Sequence, residues 1–241
     1  MTNSGNTIAT ACRASSLDHA VIRLYDTRTW RQIEPALVAH ALTITALRFS
    51  PDDKFLLSVG RDRQCAIFAR DDTQETSYTL VAKDLKAHSR MLLDAAWAPT
   101  EAGHVFATAG RDKNVHIWQP QESEAGSWQL ERKATISATF SVTAVAFLPT
   151  LIHDAIVLAY GLEDGSIYLA RFGKEVDEAA IVKEEFPSTL LPSMSVTEMA
   201  WRPLAVVDSA ASQSEGHRLG YYEIAVASED GSVRIYETSL S

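Results

Sequence analysis

The chain contains 241 residues, of which 46% are hydrophobic, and its formal net charge is −9. This balance supplies enough apolar residues for a sizeable core. It excludes broad, non-specific binding to nucleic acid, which needs a net basic surface. The charge is uneven, because residues 1–120 carry 14 Lys+Arg against 13 Asp+Glu while residues 121–241 carry 8 against 18. We interpret the acidic half as a solvated rim.

Short runs of β-prone residues, separated by turn residues, predict strands along the whole chain, and no amphipathic helix is predicted. The predicted strands are residues 6–14, 20–26, 29–38, 42–50, 55–60, 64–70, 77–86, 91–98, 104–110, 114–119, 127–137, 141–148, 155–161, 166–172, 179–186, 195–202, 219–228 and 232–238. Residues 71–75 are predicted as a polar loop, and residues 203–218 as a mobile surface insertion.

The sequence shows neither a signal peptide nor an apolar run long enough to cross a bilayer. We therefore expect a soluble protein of the cytoplasm and nucleus with no membrane partner. Its two cysteines, Cys12 and Cys65, lie in strand-like runs, and we predict core thiols in preference to a disulfide.

One unit of two strands around a tight turn recurs along the chain. Residues 56–68 read L-L-S-V-G-R-D-R-Q-C-A-I-F, and residues 106–118 read F-A-T-A-G-R-D-K-N-V-H-I-W. Looser copies lie at 157–170, 224–236 and 8–25. The turn aspartates Asp62, Asp112, Asp164 and Asp230 are 50, 52 and 66 residues apart. Strand repeats of roughly this period predict a β-propeller with one four-stranded blade per repeat.

The strand count predicts an all-β, incomplete propeller of about four to five blades, as a single partial domain over residues 1–241. Three strands come first, three complete antiparallel blades of four follow, and three strands end the chain. A closed ring of seven blades would need roughly 350 residues. We therefore expect an open arc whose flanks, residues 6–38 and 195–238, expose Val, Ile and Leu.

Two repeats carry a histidine, a hydroxyl, an aspartate and an aromatic residue at matching spacings, which predicts one hydrogen-bonded network in each blade. The two sets are His40, Ser58, Asp62 and Phe68, and His88, Thr108, Asp112 and Trp118. Because Phe68 has no N–H, we expect the first network to be the weaker. The sets recur once per blade, which is typical of a structural element and not of a catalytic triad.

This pattern resembles the structural tetrad of the WD-repeat family. The later repeats depart from it, because Asp164 has Tyr160 and Ala170, and Asp230 has Val226 and Tyr236, in the hydroxyl and aromatic positions. We expect no cofactor and no metal. The histidines lack His-x3-His spacing, and the chain has no Cys-x2-Cys. The histidines considered are His40, His88, His104, His116 and His153.

A narrower resemblance is to the family of Elongator second subunits. It rests on residues 11–30, 40–63, 87–99 and 106–118, on the Arg-Asp-Arg and Arg-Asp-Lys turns, and on Y-G-L-E-D-G-S-I-Y-L at 160–169. The resemblance implies two seven-bladed propellers, of which this chain would form the last part of the second. It also implies a non-catalytic scaffold. That scaffold would assemble the catalytic acetyltransferase subunit with the large scaffold subunit, in the complex that modifies wobble uridines of transfer RNA.

The same resemblance directs the residue before each turn aspartate to the face formed by the loops that enter the blades. Arg61 and Arg111, with Arg63 and Lys113 beside them, are therefore the candidate partner-binding residues. We expect at most an indirect or weak contact with transfer RNA. The alternative interpretation is that these four cations are ordinary solvated turn charges.

Two other functions remain open from the sequence. Residues 25–28, Y-D-T-R, are similar to the W-D-x-R box of WD-repeat substrate receptors in cullin-type ubiquitin ligases, with tyrosine in place of tryptophan. A hydrolytic or lyase propeller would need convergent acid and base residues around the central channel, and the repeats offer none.

Overall fold

The computed structural model describes residues 1–11, 20–71, 73–124, 126–186, 191–202 and 221–240, and these ranges form five antiparallel sheets. Sheet 1 contains β1 (Thr7–Ala11), β2 (Ala20–Asp26) and β3 (Gln32–His40). Sheet 2 contains β4 (Ile44–Phe49), β5 (Phe55–Gly60), β6 (Cys65–Asp71) and β7 (Gln74–Asp84). Each strand pairs with the next along the chain, as in a meander.

The remaining three sheets repeat this order. Sheet 3 contains β8 (Leu92–Trp97), β9 (Phe106–Gly110), β10 (Asn114–Glu122) and β11 (Trp128–Ser137). Sheet 4 contains β12 (Val142–Phe147), β13 (Ala155–Leu162), β14 (Ile167–Gly173) and β15 (Val182–Glu185). Sheet 5 contains β16 (Val196–Trp201), β17 (Tyr221–Ser228) and β18 (Val233–Ser239). Single-turn 3₁₀ helices lie at Thr100–Ala102 and Glu178–Ala180.

The sheets are arranged as the blades of a propeller. The strands β4, β8, β12 and β16, which begin sheets 2 to 5, lie side by side around the inside of the arc. Four apolar clusters fill the spaces between successive sheets. Because each middle strand is covered on both faces, β5 is buried at every position and reads as an apolar run without alternation.

The cluster between sheets 2 and 3 shows how the repeat unit produces this packing. Leu57 and Ile67 of sheet 2 contact the same cluster as Phe106 and Trp118 of sheet 3, and all four are almost fully buried. Each such side chain contributes about 1.5–3 kcal/mol when removed from water. Cys65, also in this cluster, is a buried free thiol, and burial raises its pKa. Cys12 lies outside the described residues.

The predicted fold class is confirmed, including the order of a three-stranded sheet, three four-stranded sheets and a three-stranded sheet. Within the described ranges, sheet 1 and sheet 5 share no paired strands, so the arc is open. Its flanks expose Val38, Val233 and Ile235, as expected for blade faces without a neighbour. No described helix has the length and apolar character needed to cross a membrane.

Two local predictions are wrong. The loop predicted at residues 71–75 is too long, because β6 continues to Asp71 and β7 already begins at Gln74. The predicted strand 179–186 is shortened to Val182–Glu185, since the Asp177 carboxylate accepts a hydrogen bond from the Ala179 amide and caps a 3₁₀ turn there. The predicted insertion 203–218 lies outside the described residues.

Candidate partner-binding face

Four turns of the propeller share one backbone geometry. In each, the amide of the residue before the turn aspartate donates to a carbonyl of the loop that enters the same sheet. The pairs are Arg61 to Thr43 at 2.9 Å, and Arg111 to Met91, Glu163 to Ser141 and Glu229 to Ser195 at 3.0 Å each. We call the surface formed by these turns and entering loops the loop face: residues 41–43, 61–64, 85–91, 111–113, 138–141, 163–166, 191–195 and 229–232.

Below the turn of sheet 3, four side chains form a continuous hydrogen-bonded chain. Trp118 Nε1 donates to Thr108 Oγ1 at 2.9 Å, His88 Nε2 lies 2.8 Å from the same oxygen, and His88 Nδ1 lies 2.8 Å from Asp112 Oδ1. Indole N–H can only donate and an ionised carboxylate can only accept, so Thr108 accepts from Trp118 and the imidazole Nδ1–H donates to Asp112.

The corresponding set in sheet 2 has one bond fewer. His40 Nε2 lies 2.8 Å from Ser58 Oγ, and His40 Nδ1 lies 3.0 Å from Asp62 Oδ1. Phe68 is buried in the aromatic position but has no polar hydrogen to donate. Ser58 is fully buried, so this serine–histidine–aspartate arrangement has no route to a substrate and resembles a catalytic triad only in its residue types.

Both turn aspartates are held in the ionised form. Burial alone would raise the pKa of Asp112, but the hydrogen bond and charge of His88, together with the amides of Ser89 and Asn114, lower it to about 2. The pKa of Asp62 is lowered in the same way: burial raises it, but the hydrogen bond and charge of His40 lower it by more. These carboxylates therefore anchor the loop before each sheet to the turn within it.

The glycine before each Arg-Asp pair is required by the imidazole packed on it. A Cβ atom at Gly110 would lie 2.5 Å from His88 Nδ1, and one at Gly60 would lie 3.0 Å from His40 Nδ1. Sheets 4 and 5 have no such histidine, and the buried residues Leu162 and Ser228 occupy the glycine position. Side-chain packing replaces the histidine network there.

In sheets 4 and 5, the residues in the hydroxyl and aromatic positions pack against apolar neighbours and, within the described ranges, form no such hydrogen-bonded network. Tyr160 stacks on Tyr168 with ring centroids 5.5 Å apart, and Ala170 is fully buried beside them. Val226 is fully buried in sheet 5, and Tyr236 packs on the Phe186 ring with centroids 5.5 Å apart.

The four candidate cations all lie exposed on the loop face. Arg61 and Arg111 occupy equivalent positions, and Arg63 and Lys113 each follow two residues later. Lys113 Nζ donates to the Thr139 carbonyl at 2.9 Å. Across the described ranges, none of the four is in a salt bridge.

Arg63 and Lys113 have left-handed backbone conformations, with φ of 69° and 68°. The equivalent position is glycine in the next two sheets, where Gly165 has φ of 93° and Gly231 has φ of 79°. Two cations thus stand where the backbone favours glycine.

The structure brings His88, Asp112 and His116 together, with one ligand-type atom of each within 4.8 Å of the others. Sequence spacing missed this cluster. His116 joins it because β9 and β10 pair His116 with Thr108. Both His88 nitrogens are hydrogen-bonded, one to Asp112 and one to Thr108. Burial is the main cause that lowers the pKa of His116 to about 3, and the charges of His88 and Arg132 lower it further.

The other two histidines considered from the sequence lie away from the loop face. His104 Nε2 lies 2.8 Å from Asp52 Oδ2 and joins the far ends of sheets 2 and 3. His153 lies in the turn before β13 with φ of 49°.

The Y-D-T-R segment lies at the end opposite the loop face. There the Asp26 carboxylate accepts hydrogen bonds from the amides of Arg28 at 2.9 Å and Thr29 at 2.8 Å. The segment thus forms an aspartate turn between β2 and β3, and Thr27 and Arg28 also bond to residues 5–6 before β1.

Comparison with known proteins first identifies the class. Residues 32–68 and 79–119 match the WD40 family, described as WD domain, G-beta repeat. The fold is similar to a chain of the solved structure described as "Crystal Structure of Mitotic Checkpoint Complex", with a TM-score of 0.69 at 17% sequence identity, over 98% of this chain and 60% of that one. The chain belongs to the WD40-repeat family of β-propellers.

Within the WD40-repeat class, the chain is similar to one particular group of proteins. The chain is 39% identical over 229 residues to Elongator complex protein 2 of Saccharomyces cerevisiae, covering 95% of this chain and 27% of that protein. It is 35% identical to the Schizosaccharomyces pombe protein of the same name, over 100% of this chain and 29% of that protein. The Homo sapiens protein is 30% identical over 98% of this chain and 30% of its own length. The chain spans less than a third of these relatives. They give no support to the ubiquitin-ligase alternative.

Proposed function

We propose that this chain is a non-catalytic scaffold segment of an Elongator subunit, and that it helps assemble the complex that modifies wobble uridines of transfer RNA. Similarity to Elongator complex protein 2 over nearly the whole chain supports the proposal. The proposed partners are the large scaffold subunit and the catalytic acetyltransferase subunit, with transfer RNA contacted weakly or indirectly. We propose residues 1–241 as one partial propeller domain that acts in cytoplasm and nucleus.

The main observation in favour of this binding site is that Arg63 and Lys113 occupy two strained, left-handed backbone positions. A residue other than glycine in the left-handed region costs about 1–2 kcal/mol. Backbone strain alone would therefore favour glycine at Arg63 and Lys113, as at Gly231. At Gly165 a Cβ atom would also collide with the Pro192 carbonyl. We attribute the two cations to partner binding, since backbone strain that stability does not require is commonly retained for function.

Rigid support makes these cations suitable for recognition. Arg61 and Arg111 follow directly on buried strands, and the tetrads of His40 and His88 fix the turns that carry them. Arginine binds carboxylates strongly when the contact is bidentate and partly desolvated. Acidic groups of a partner subunit are therefore the expected ligands.

The test is a quadruple charge reversal, Arg61→Glu, Arg63→Glu, Arg111→Glu and Lys113→Glu, in the protein expressed with the other Elongator subunits. We expect the free energy of unfolding to change little, because exposed charges contribute little to stability. We expect co-purification of the subunits to fall, and wobble-uridine modification to fall with it. The binding defect should shrink as salt is raised, because salt already screens the ionic contacts of the parent.

A matched control reverses four exposed cations of the opposite end, Arg28, Arg31, Lys54 and Lys174, with the same change in net charge. This variant should assemble normally. If the loop-face reversal assembles and supports modification as well as the control does, the four cations are solvated turn charges and the proposed site is wrong.

A further inference from the structure

The charge on the loop face changes sign halfway around the arc. Arg61, Arg111, Glu163 and Glu229 occupy one equivalent position in sheets 2, 3, 4 and 5, as their shared amide-to-carbonyl hydrogen bonds establish. All four side chains are exposed. The face is therefore cationic over sheets 2 and 3 and anionic over sheets 4 and 5.

The next turn positions strengthen the asymmetry. Sheets 2 and 3 add Arg63 and Lys113, whereas sheets 4 and 5 have glycine at the equivalent point. On the anionic side, the exposed carboxylate of Asp164 accepts from the Ser166 amide and hydroxyl, each at 3.0 Å, and from no other donor in the described part of the chain. Its negative charge is therefore available to a partner.

Each loop that enters sheets 2 to 5 also exposes one large apolar side chain. These residues are Leu42, Leu85, Phe140 and Met194, with exposed fractions of 50%, 62%, 46% and 47%. Scattered apolar residues on a surface need no explanation, but these four all lie in the loops of one face. Leu42, Phe140 and Met194 each directly precede the carbonyl acceptor of their loop, whereas Arg90 holds that position in sheet 3 and Leu85 lies six residues before Met91. We call these four residues the apolar row.

We infer that the loop face binds an amphipathic polypeptide segment of a partner subunit, with an acidic end over sheets 2 and 3 and a basic end over sheets 4 and 5. The apolar side chains of that segment lie against the apolar row. This inference rests on the proposed function, and it specifies the chemistry and direction of the partner.

Charge complementarity decides between a polypeptide and a nucleic acid. The phosphate backbone is uniformly negative, so Glu163 and Glu229 would repel a strand that continued past Arg111. The apolar row gives a phosphate backbone nothing to bind. A polypeptide with separated charges satisfies both halves of the face, and it can bury the row.

The experiment reverses the anionic half alone, with Glu163→Arg and Glu229→Arg. Binding of the purified remaining Elongator subunits is measured at two salt concentrations, and binding of transfer RNA in parallel. We expect affinity for the subunits to fall about 10-fold, with less effect at high salt, where the parental contacts are already screened. A variant with Leu42→Ser, Phe140→Ser and Met194→Ser should also bind the subunits more weakly, without that salt dependence.

The control reverses two exposed acids away from the loop face, Glu122→Arg and Glu124→Arg, and should bind as the parent does. Thermal melts of each variant verify folding. A partner segment with its basic end changed to acidic residues should restore binding to the Glu163→Arg and Glu229→Arg variant.

Three outcomes overturn the inference while leaving the proposed function standing. In the first, the Glu163→Arg and Glu229→Arg variant binds the subunits as tightly as the parent, although the cation reversal does not. In the second, this variant gains affinity for transfer RNA with unchanged subunit binding, which would make the face an RNA surface. In the third, the variants abolish only self-association, which would make the occupant a second copy. If the parent binds no Elongator subunit, the proposed function itself fails.

Discussion

Asp112 connects the loop that enters sheet 3 to the turn between β9 and β10 through one carboxylate. It accepts from His88 at 2.8 Å, from the Ser89 amide at 2.8 Å and from the Asn114 amide at 3.3 Å. Among the described residues, Asp164, at the same position of sheet 4, accepts only from Ser166. The same turn residue is therefore a buried anchor in one sheet and a local turn acceptor in another.

Replacing Asp112 with alanine should lower the free energy of unfolding by about 1–3 kcal/mol, because the imidazole and amide donors lose their acceptor. Asp164→Ala should cost less, since its donors are exposed to water. The folded-state pKa of Asp112, about 2, lies below the ordinary value of 3.8. Its contribution is therefore complete above pH 3.8 and is lost as the pH falls towards 2. Urea unfolding of both variants checks this, and equal losses would contradict it.

At the scale of the element, the turns of sheets 2 and 3 differ from those of sheets 4 and 5 in backbone strain. Arg63 keeps a left-handed conformation although nothing in its own turn requires an arginine there. Gly231 takes the equivalent conformation in sheet 5, with no atom within 4 Å of where its Cβ would lie. The two turns therefore allow strain to be measured separately from packing.

Arg63→Gly should leave the free energy of unfolding unchanged or raise it by up to about 1 kcal/mol. Relief of the left-handed strain is partly offset by the greater freedom of glycine in the unfolded chain. Subunit binding should nevertheless weaken. Gly231→Ala is the matched reverse change and should destabilise by about 1 kcal/mol. Chemical unfolding measures both, and a clear loss of stability in Arg63→Gly would show that the arginine is structural.

At the scale of the whole molecule, a polar network joins the inner strands of four sheets. Arg48 of β4 donates to Asp94 Oδ1 at 2.9 Å and to Glu198 Oε1 at 3.2 Å, and Asp94 Oδ2 accepts from the Val145 amide at 3.0 Å. Burial raises the pKa of Asp94 to about 6, against the opposing charge of Arg48. The network holds the inside of the arc together at a cost in desolvation.

This pKa predicts a pH-dependent stability of opposite sign to that of Asp112. Between pH 3.8 and about 6 the folded chain binds more protons at Asp94 than the unfolded chain does, so this contribution falls as pH rises. Asp94→Asn cannot titrate. The melting temperature of the variant relative to the parent should therefore increase from pH 4 to pH 7. A difference that stays constant over this range would mean that Arg48 already holds Asp94 ionised at pH 4.

The strands, their grouping into sheets and the two tetrads were predictable from the sequence alone. These features depend on short-range patterns that repeat, such as the thirteen residues from 106 to 118. A repeat fixes hydrogen-bonding partners inside one sheet, because β-pairing within a meander joins neighbours along the chain. Strand boundaries were less predictable, because a local turn such as the one capped by Asp177 can shorten a strand.

Only the tertiary structure decided what residues of different sheets do together. Arg48 and Glu198 are 150 residues apart, and their contact depends on how far the arc curves. The apolar row and the change of charge along the loop face likewise exist only because successive sheets present their turns and entering loops on one side. No local pattern encodes that alignment. It follows from sheet-on-sheet packing, in which the side chains between sheets set the angle from each blade to the next.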